Sequence, residues 1–170
     1  MIKYLKVFIL FVGACFLSSC AEHQQTIVSR PISHRIAQVR TTAYSNTEKG
    51  GKHNAVGTYL SGREVMSAAS DWSRFPLGTR FRIVDTNEEY IIDDYGLALI
   101  GTDTIDLYKR NRLEMKKWGV RRVDIDVLQW GSNEESLKVL TPRGKHNYVR
   151  RMIVALQKKG SAHAASRALD

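Results

Sequence analysis

Along this chain apolar and polar positions fall into short alternating runs, with a helical period only in places. Ala37 to Tyr44 is β-rich and partly alternating and predicts a strand. Val65 to Ser70 predicts a second strand of small residues, and Arg80 to Val84 alternates as a half-buried strand does. Thr86-Asn87 then turns, and Glu89 to Ile92 returns as a hairpin partner. Thr104 to Tyr108 predicts another short strand. From Val123 to Val127 the alternation is strict, so Val123, Ile125 and Val127 are expected to face inward. Lys109 to Trp118 predicts the one clear helix of this region, with Met115 and Trp118 on one face and Gly119 as its stop. Pro76 and Gly78 predict a structural turn after Asp71. Short strands at close spacing, with one short helix among them, predict a small all-β barrel over 37–131.

The pattern changes at both ends. Lys3 and Lys6 precede an apolar run, Val7 to Phe16, that is too short to span a membrane. Leu17-Ser-Ser-Cys20 follows, so 1–19 reads as an export signal peptide and Cys20 as a lipidation site. The two cysteines of the chain, Cys15 and Cys20, both lie here, which leaves the exported domain without a disulfide or a thiol nucleophile. Residues 20–36 are polar and read as a tether between lipid and domain, with His23 and His34 solvated. The expected location is the periplasmic face of the cell envelope. Glu22, rather than Asp, two positions after Cys20 fits outer-membrane sorting.

Beyond the barrel, 132–170 holds eight Lys or Arg against three acids, a large share of the net charge of +9. Val149, Met152, Ile153 and Leu156 recur at helical spacing, so a basic amphipathic helix is expected over 146–158, with 161–170 without order. For an exported chain nucleic acid is excluded as a partner. Either anionic wall polymer or lipid headgroups meet this face, or the helix packs on the barrel and leaves its basic face to solvent.

The candidate chemistry lies between Tyr90 and Tyr108. Asp94 and Asp106 stand at the two ends of a loop punctuated by Gly96 and Gly101. If the flanking strands are close, both carboxylates reach one rim. Two such groups can hold different protonation states, as acid–base cleavage of a glycosidic bond requires. Asp beside Gly is equally a turn device. Glu48 and His53 can line a site, but no second His follows at metal-ligand spacing.

Taken together, Thr42-Ala-Tyr44, Ser67-Ala-Ala-Ser-Asp71, Phe75-Pro-Leu-Gly-Thr79, Asp94-Tyr-Gly96, Gly101 and Ile105-Asp-Leu-Tyr108 resemble the 3D (three-aspartate) domain. The resemblance covers about residues 38–131. It implies a six-stranded double-psi β-barrel, similar to those of membrane-bound lytic transglycosylase A and rare lipoprotein A, and more distantly to expansins. It implies that Asp106 is the catalytic acid, that Asp94 supports it, and that Asp71 is structural. Tyr44, Gly96 and Gly101 would contact substrate. The implied reaction is lytic cleavage of peptidoglycan between N-acetylmuramic acid and N-acetylglucosamine, with no metal or organic cofactor. Expansin-like glycan binding without catalysis, or hydrolysis by both Asp94 and Asp106, are the other readings. The chain departs from the family at Asp94-Tyr-Gly-Leu97, where Asp-Thr-Gly-Gly is usual. The spacing from Gly101 to Asp106 is also one residue longer. Both departures bear on how a glycan is positioned.

Overall fold

A computed structural model describes residues 34–48, 51–61 and 64–167. The signal peptide, Cys20 and His23 lie outside the described residues. Six strands close into a barrel: β1 (His34–Tyr44), β2 (Val65–Ala69), β3 (Arg80–Ile83), β4 (Glu89–Asp94), β5 (Ile105–Tyr108) and β6 (Arg121–Gln129). Around the barrel the order is β1-β5-β2-β4-β3-β6. β1 with β5 and β2 with β4 run parallel, and the other neighbours run antiparallel. The barrel is therefore mixed, and strands adjacent in sequence are often not adjacent in space.

Period-2 alternation places the core. Phe81 and Ile83 of β3, Ile92 of β4, and Ile105 and Leu107 of β5 are fully buried. Val123, Ile125 and Val127 of β6 face inward as the alternation predicts. Burying each such side chain stabilises the fold by about 1.5–3 kcal/mol, so the barrel interior is a packed core and any site must lie on its outside or rim. β1 begins at His34, three residues before the strand expected from sequence, so His34 to Ile36 belong to the barrel wall and not to the tether. A bulge between Ile36 and Val39 breaks the alternation there. At that bulge Gln38 has φ 57° and gives its N–H to Asp124 Oδ1 at 2.9 Å.

The helix after β5, α1 (Arg112–Trp118), starts later than the hydrophobic period suggests. The reason is local capping: Asn111 accepts the N–H of Glu114 at 2.9 Å. Lys109, expected in this helix, instead continues the wall. Its N–H meets Tyr44 O at 2.8 Å. Its buried Nζ donates to Tyr90 Oη at 2.7 Å and Glu88 at 3.0 Å. Gly119 ends the helix with φ 64°.

The C-terminal extension holds more order than the sequence reading allows. A helix not foreseen, α2 (Asn133–Leu140), opens on Ser132, whose Oγ accepts Glu135 N at 3.1 Å. Ser132-Asn-Glu-Glu135 is the capping-box spacing, so the signal was present. The last helix, α3 (Asn147–Arg167), runs well beyond 158 and through most of the segment expected to lack order. Val149, Met152 and Leu156 on its inner face are buried in the same cluster as the barrel core. The helix therefore packs on the barrel through this apolar face. Among the described residues no helix is long and apolar enough to cross a membrane.

Candidate functional site

β4 and β5 are not neighbours, so the loop between them does not by itself bring Asp94 to Asp106. β2 lies between the two strands. Its last residue, Ala69, is in register with Asp94 on one side and with Asp106 on the other. A small residue at that position leaves room, and Ala69, Asp94 and Asp106 together line a cavity of about 510 Å³. This lies within the usual range for a small-molecule site. Tyr44, Gly96, Glu48 and His53 line the same cavity. Gly101, also expected to contact substrate, does not line this cavity. It lines a separate groove, with φ +83° and its N–H given to Asp71 Oδ2 at 2.7 Å.

Asp106 sits mid-strand in β5, with Ile105 and Leu107 pointing the other way into the core. Parallel pairing with β1 sets Thr42 opposite it, and Thr42 Oγ1 donates to Asp106 Oδ1 at 2.6 Å. Burial raises the Asp106 pKa above the ordinary carboxylate value. The Thr42 hydrogen bond pulls it down, Glu48 pushes it up further, and Arg40 opposes. The apolar surround of Asp106 does not come from its own strand neighbours. Ile105 and Leu107 are on the opposite face of the strand, and Ile100 is not in the cavity wall. Leu60, Leu97 and Leu99 supply the apolar lining instead.

Asp94 is held more firmly. Its Oδ1 accepts two backbone N–H groups, from Tyr95 at 2.8 Å and from Ala55 at 3.0 Å. Its Oδ2 faces Tyr44 Oη at 3.5 Å. Burial dominates, and with the nearby Asp93 charge it pushes the Asp94 pKa up to about 6 against these hydrogen bonds. Tyr44 Oη lies 3.0 Å from Ser67 Oγ, which in turn donates to Asp93. A polar chain thus runs from Asp93 through Ser67 and Tyr44 to Asp94. Burial and the neighbouring carboxylates hold the Tyr44 phenol well above its ordinary pKa, so it acts as a hydrogen-bond donor.

Both oxygens of Asp71 accept backbone N–H groups. Its Oδ1 accepts Ser73 N at 2.8 Å, and with Gly101 on the other oxygen it ties the β2–β3 turn to the β4–β5 loop. Gly78 takes φ +89° in the turn after Pro76. His53 packs edge-on against Tyr59, with ring centroids 5.5 Å apart. Among the described residues no group of three or more His, Cys, Asp or Glu gathers to hold a metal ion.

Three participants were not singled out from sequence. Thr42 and Ala69 enter through strand pairing, and Arg40 through its place on the cavity rim. Thr42 and Ala69 lie within motifs of the resemblance, but their roles depend on pairings between strands distant in sequence. Comparison with protein-family models gives no match for this chain, and none of the curated proteins matches it.

Proposed function

We propose that this protein is a peptidoglycan-cleaving lytic transglycosylase of the 3D-domain kind, with Asp106 as its single acid and base. One observation carries the reading. Two carboxylates from strands that do not touch are brought to one cavity, and each is biased toward its protonated form. A general acid must hold its proton until substrate arrives, and burial supplies that bias.

In the proposed reaction the Asp106 carboxyl protonates the oxygen of the bond between N-acetylmuramic acid and N-acetylglucosamine. The C–O bond breaks, and the sugar on the muramic side passes through an oxocarbenium-like state. The Asp106 carboxylate then takes the proton of that sugar's own C6 hydroxyl. Its oxygen attacks C1, which closes a 1,6-anhydro ring and restores the acid. No water is consumed. Asp94, clamped by two backbone N–H groups, provides fixed negative charge or a hydrogen bond beside the reacting centre once it is ionised. Lipid on Cys20 would keep the domain at the periplasmic face of an envelope membrane, within reach of the glycan.

The test is digestion of isolated peptidoglycan by the full chain in mild detergent, with products read by mass spectrometry. Anhydro-ended muropeptides are expected. Asp106→Asn keeps an acceptor for Thr42 and so keeps the fold, while release falls by about 10²–10⁴-fold. Because the acid must be protonated, release by the parent should fall as pH rises through the raised Asp106 pKa. A folded Asp106→Asn variant as fast as the parent defeats the reading. Reducing ends would point to hydrolysis by both aspartates, and retention on sacculi without release would point to a glycan-binding module.

A further inference from the structure

The carboxylate cavity does not end at its own rim. Arg40 lines it and also lines a neighbouring groove of about 610 Å³, beside β1 and β6. Arg122 and Lys159 flank that groove, and Trp130 stands on it. The Trp130 ring stacks on Phe75, with centroids 6.3 Å apart, and remains 48% exposed. Arg74 lines this groove and a third one, of about 620 Å³, which runs along α3. Arg150, Arg151 and Lys158 project from α3 into the third groove.

The charges along this path are one-sided. The acids lining the two outer grooves are Asp71 and Asp103. Asp71 is buried and has both oxygens taken by backbone N–H groups, from Ser73 and Gly101. Asp103 is paired with Arg74 at 3.2 Å. The remaining cations are exposed, and some are fixed in place. Arg122 donates to Gln38 O at 2.9 Å, and Lys159 donates to Ser73 O. Arginines held in a groove suit carboxylates, which they can meet with two parallel hydrogen bonds.

We propose that this basic path binds a carboxylate-bearing glycan strand outside the cavity, and so sets which anionic polymer the cavity receives. The proposal rests on the peptidoglycan reading above. It adds that recognition depends on the carboxylates of the peptide stems and not on the sugars alone. Trp130 offers an aromatic edge to the sugar rings between stems. Two observations favour a strand over a bilayer surface: the cations line concave grooves, and those grooves continue through Arg40 and Arg74 into the cavity. A flat anionic membrane would meet cations on a convex face.

The experiment is co-sedimentation of the full chain, in mild detergent, with isolated peptidoglycan sacculi. One variant combines Arg122→Gln, Arg150→Gln, Arg151→Gln and Lys158→Gln. A control removes as many charges elsewhere, by Lys116→Gln, Lys117→Gln, Lys138→Gln and Lys145→Gln. The groove variant should lose affinity by about tenfold or more at low salt and lose most of its salt dependence. The control should bind as the parent does. Sacculi whose stem carboxylates have been amidated should hold the parent no better than untreated sacculi hold the groove variant. Equal loss in control and groove variants, or parent binding indifferent to amidation, overturns the proposal. So does a groove variant that keeps its grip on sacculi yet no longer binds vesicles rich in anionic phospholipid, which assigns the path to a membrane. Muropeptide release measured in the same samples separates the two readings. Charge-dependent binding without release removes the catalytic reading alone, and release with charge-indifferent binding removes the path alone.

Discussion

Asp94 shows how a single residue couples function to stability. Its ordinary pKa of 3.8 is pushed up to about 6 in the fold, chiefly by burial. The folded state therefore binds a proton more tightly than the unfolded chain does. The sign follows: this contribution favours the fold at low pH and is lost as pH rises from about 4 to about 6. Asp94→Asn keeps an oxygen for the N–H groups of Tyr95 and Ala55 but has no charge to bury. It should raise stability above pH 6 by up to about 3 kcal/mol and leave it unchanged near pH 3. Thermal melts across pH check this, and a variant no more stable than the parent at pH 7 contradicts the burial argument. Gly131 makes the opposite case. A Cβ there would lie no more than 2.6 Å from Leu77 O, Pro76 O and Thr79 N, all backbone atoms that cannot swing aside. Gly131→Ala should cost about 1–3 kcal/mol or more by overpacking, read as a lower urea midpoint. Asp94 and Gly78 were both legible in the sequence, because Asp-x-Gly and Pro-x-Gly are local signals. Gly131 read only as the end of a domain, since the backbone that crowds it comes from the turn around Pro76, far away in the chain.

At the scale of elements, α3 is the part whose role the structure most changes. Its apolar spacing was visible, but spacing does not say what an apolar face covers. In the fold Val149, Met152 and Leu156 close one side of the barrel core. Arg143, just before α3, reaches Ala55 O at 2.9 Å and Tyr95 Oη at 3.2 Å, the same two residues whose N–H groups hold Asp94. The extension therefore packs on the barrel and also braces the cavity. Leu156→Ala should cost about 2–5 kcal/mol, with a single cooperative unfolding transition for helix and barrel together. A separate early transition for the helix, followed by far-ultraviolet circular dichroism, would show that α3 is not part of the core. The short α2 was missed for a different reason. Its cap, Ser132 with Glu135, is a clear start signal, but the run that follows is brief and carries few apolar residues.

For the whole molecule, the proposal combines an anchored N-terminus with a barrel whose chemistry lies at its surface. Cys20→Ser should abolish incorporation of a fatty-acid probe and release the protein from the membrane fraction. Undiminished labelling of that variant would remove the anchor. The barrel's closure explains why the site forms at all. Closing six short strands in the order β1-β5-β2-β4-β3-β6 sets β2 between the two aspartate-bearing strands. Carboxylates twelve positions apart in sequence then meet across one alanine.

By itself the sequence determined what short-range physics controls. Strand alternation set which faces of β3 and β6 turn inward, because a strand's side chains alternate whatever it pairs with. Glycine and proline set the turns, and the small-residue stretch of β2 was visible as such. Tertiary structure alone decided the pairings. Ala69 between Asp94 and Asp106, Thr42 opposite Asp106, Arg143 on Ala55, and Gly101 turned toward Asp71 all depend on contacts between distant segments. Register along one strand is written in its own alternation. The neighbour across the hydrogen bonds is chosen only when the whole barrel closes over its core.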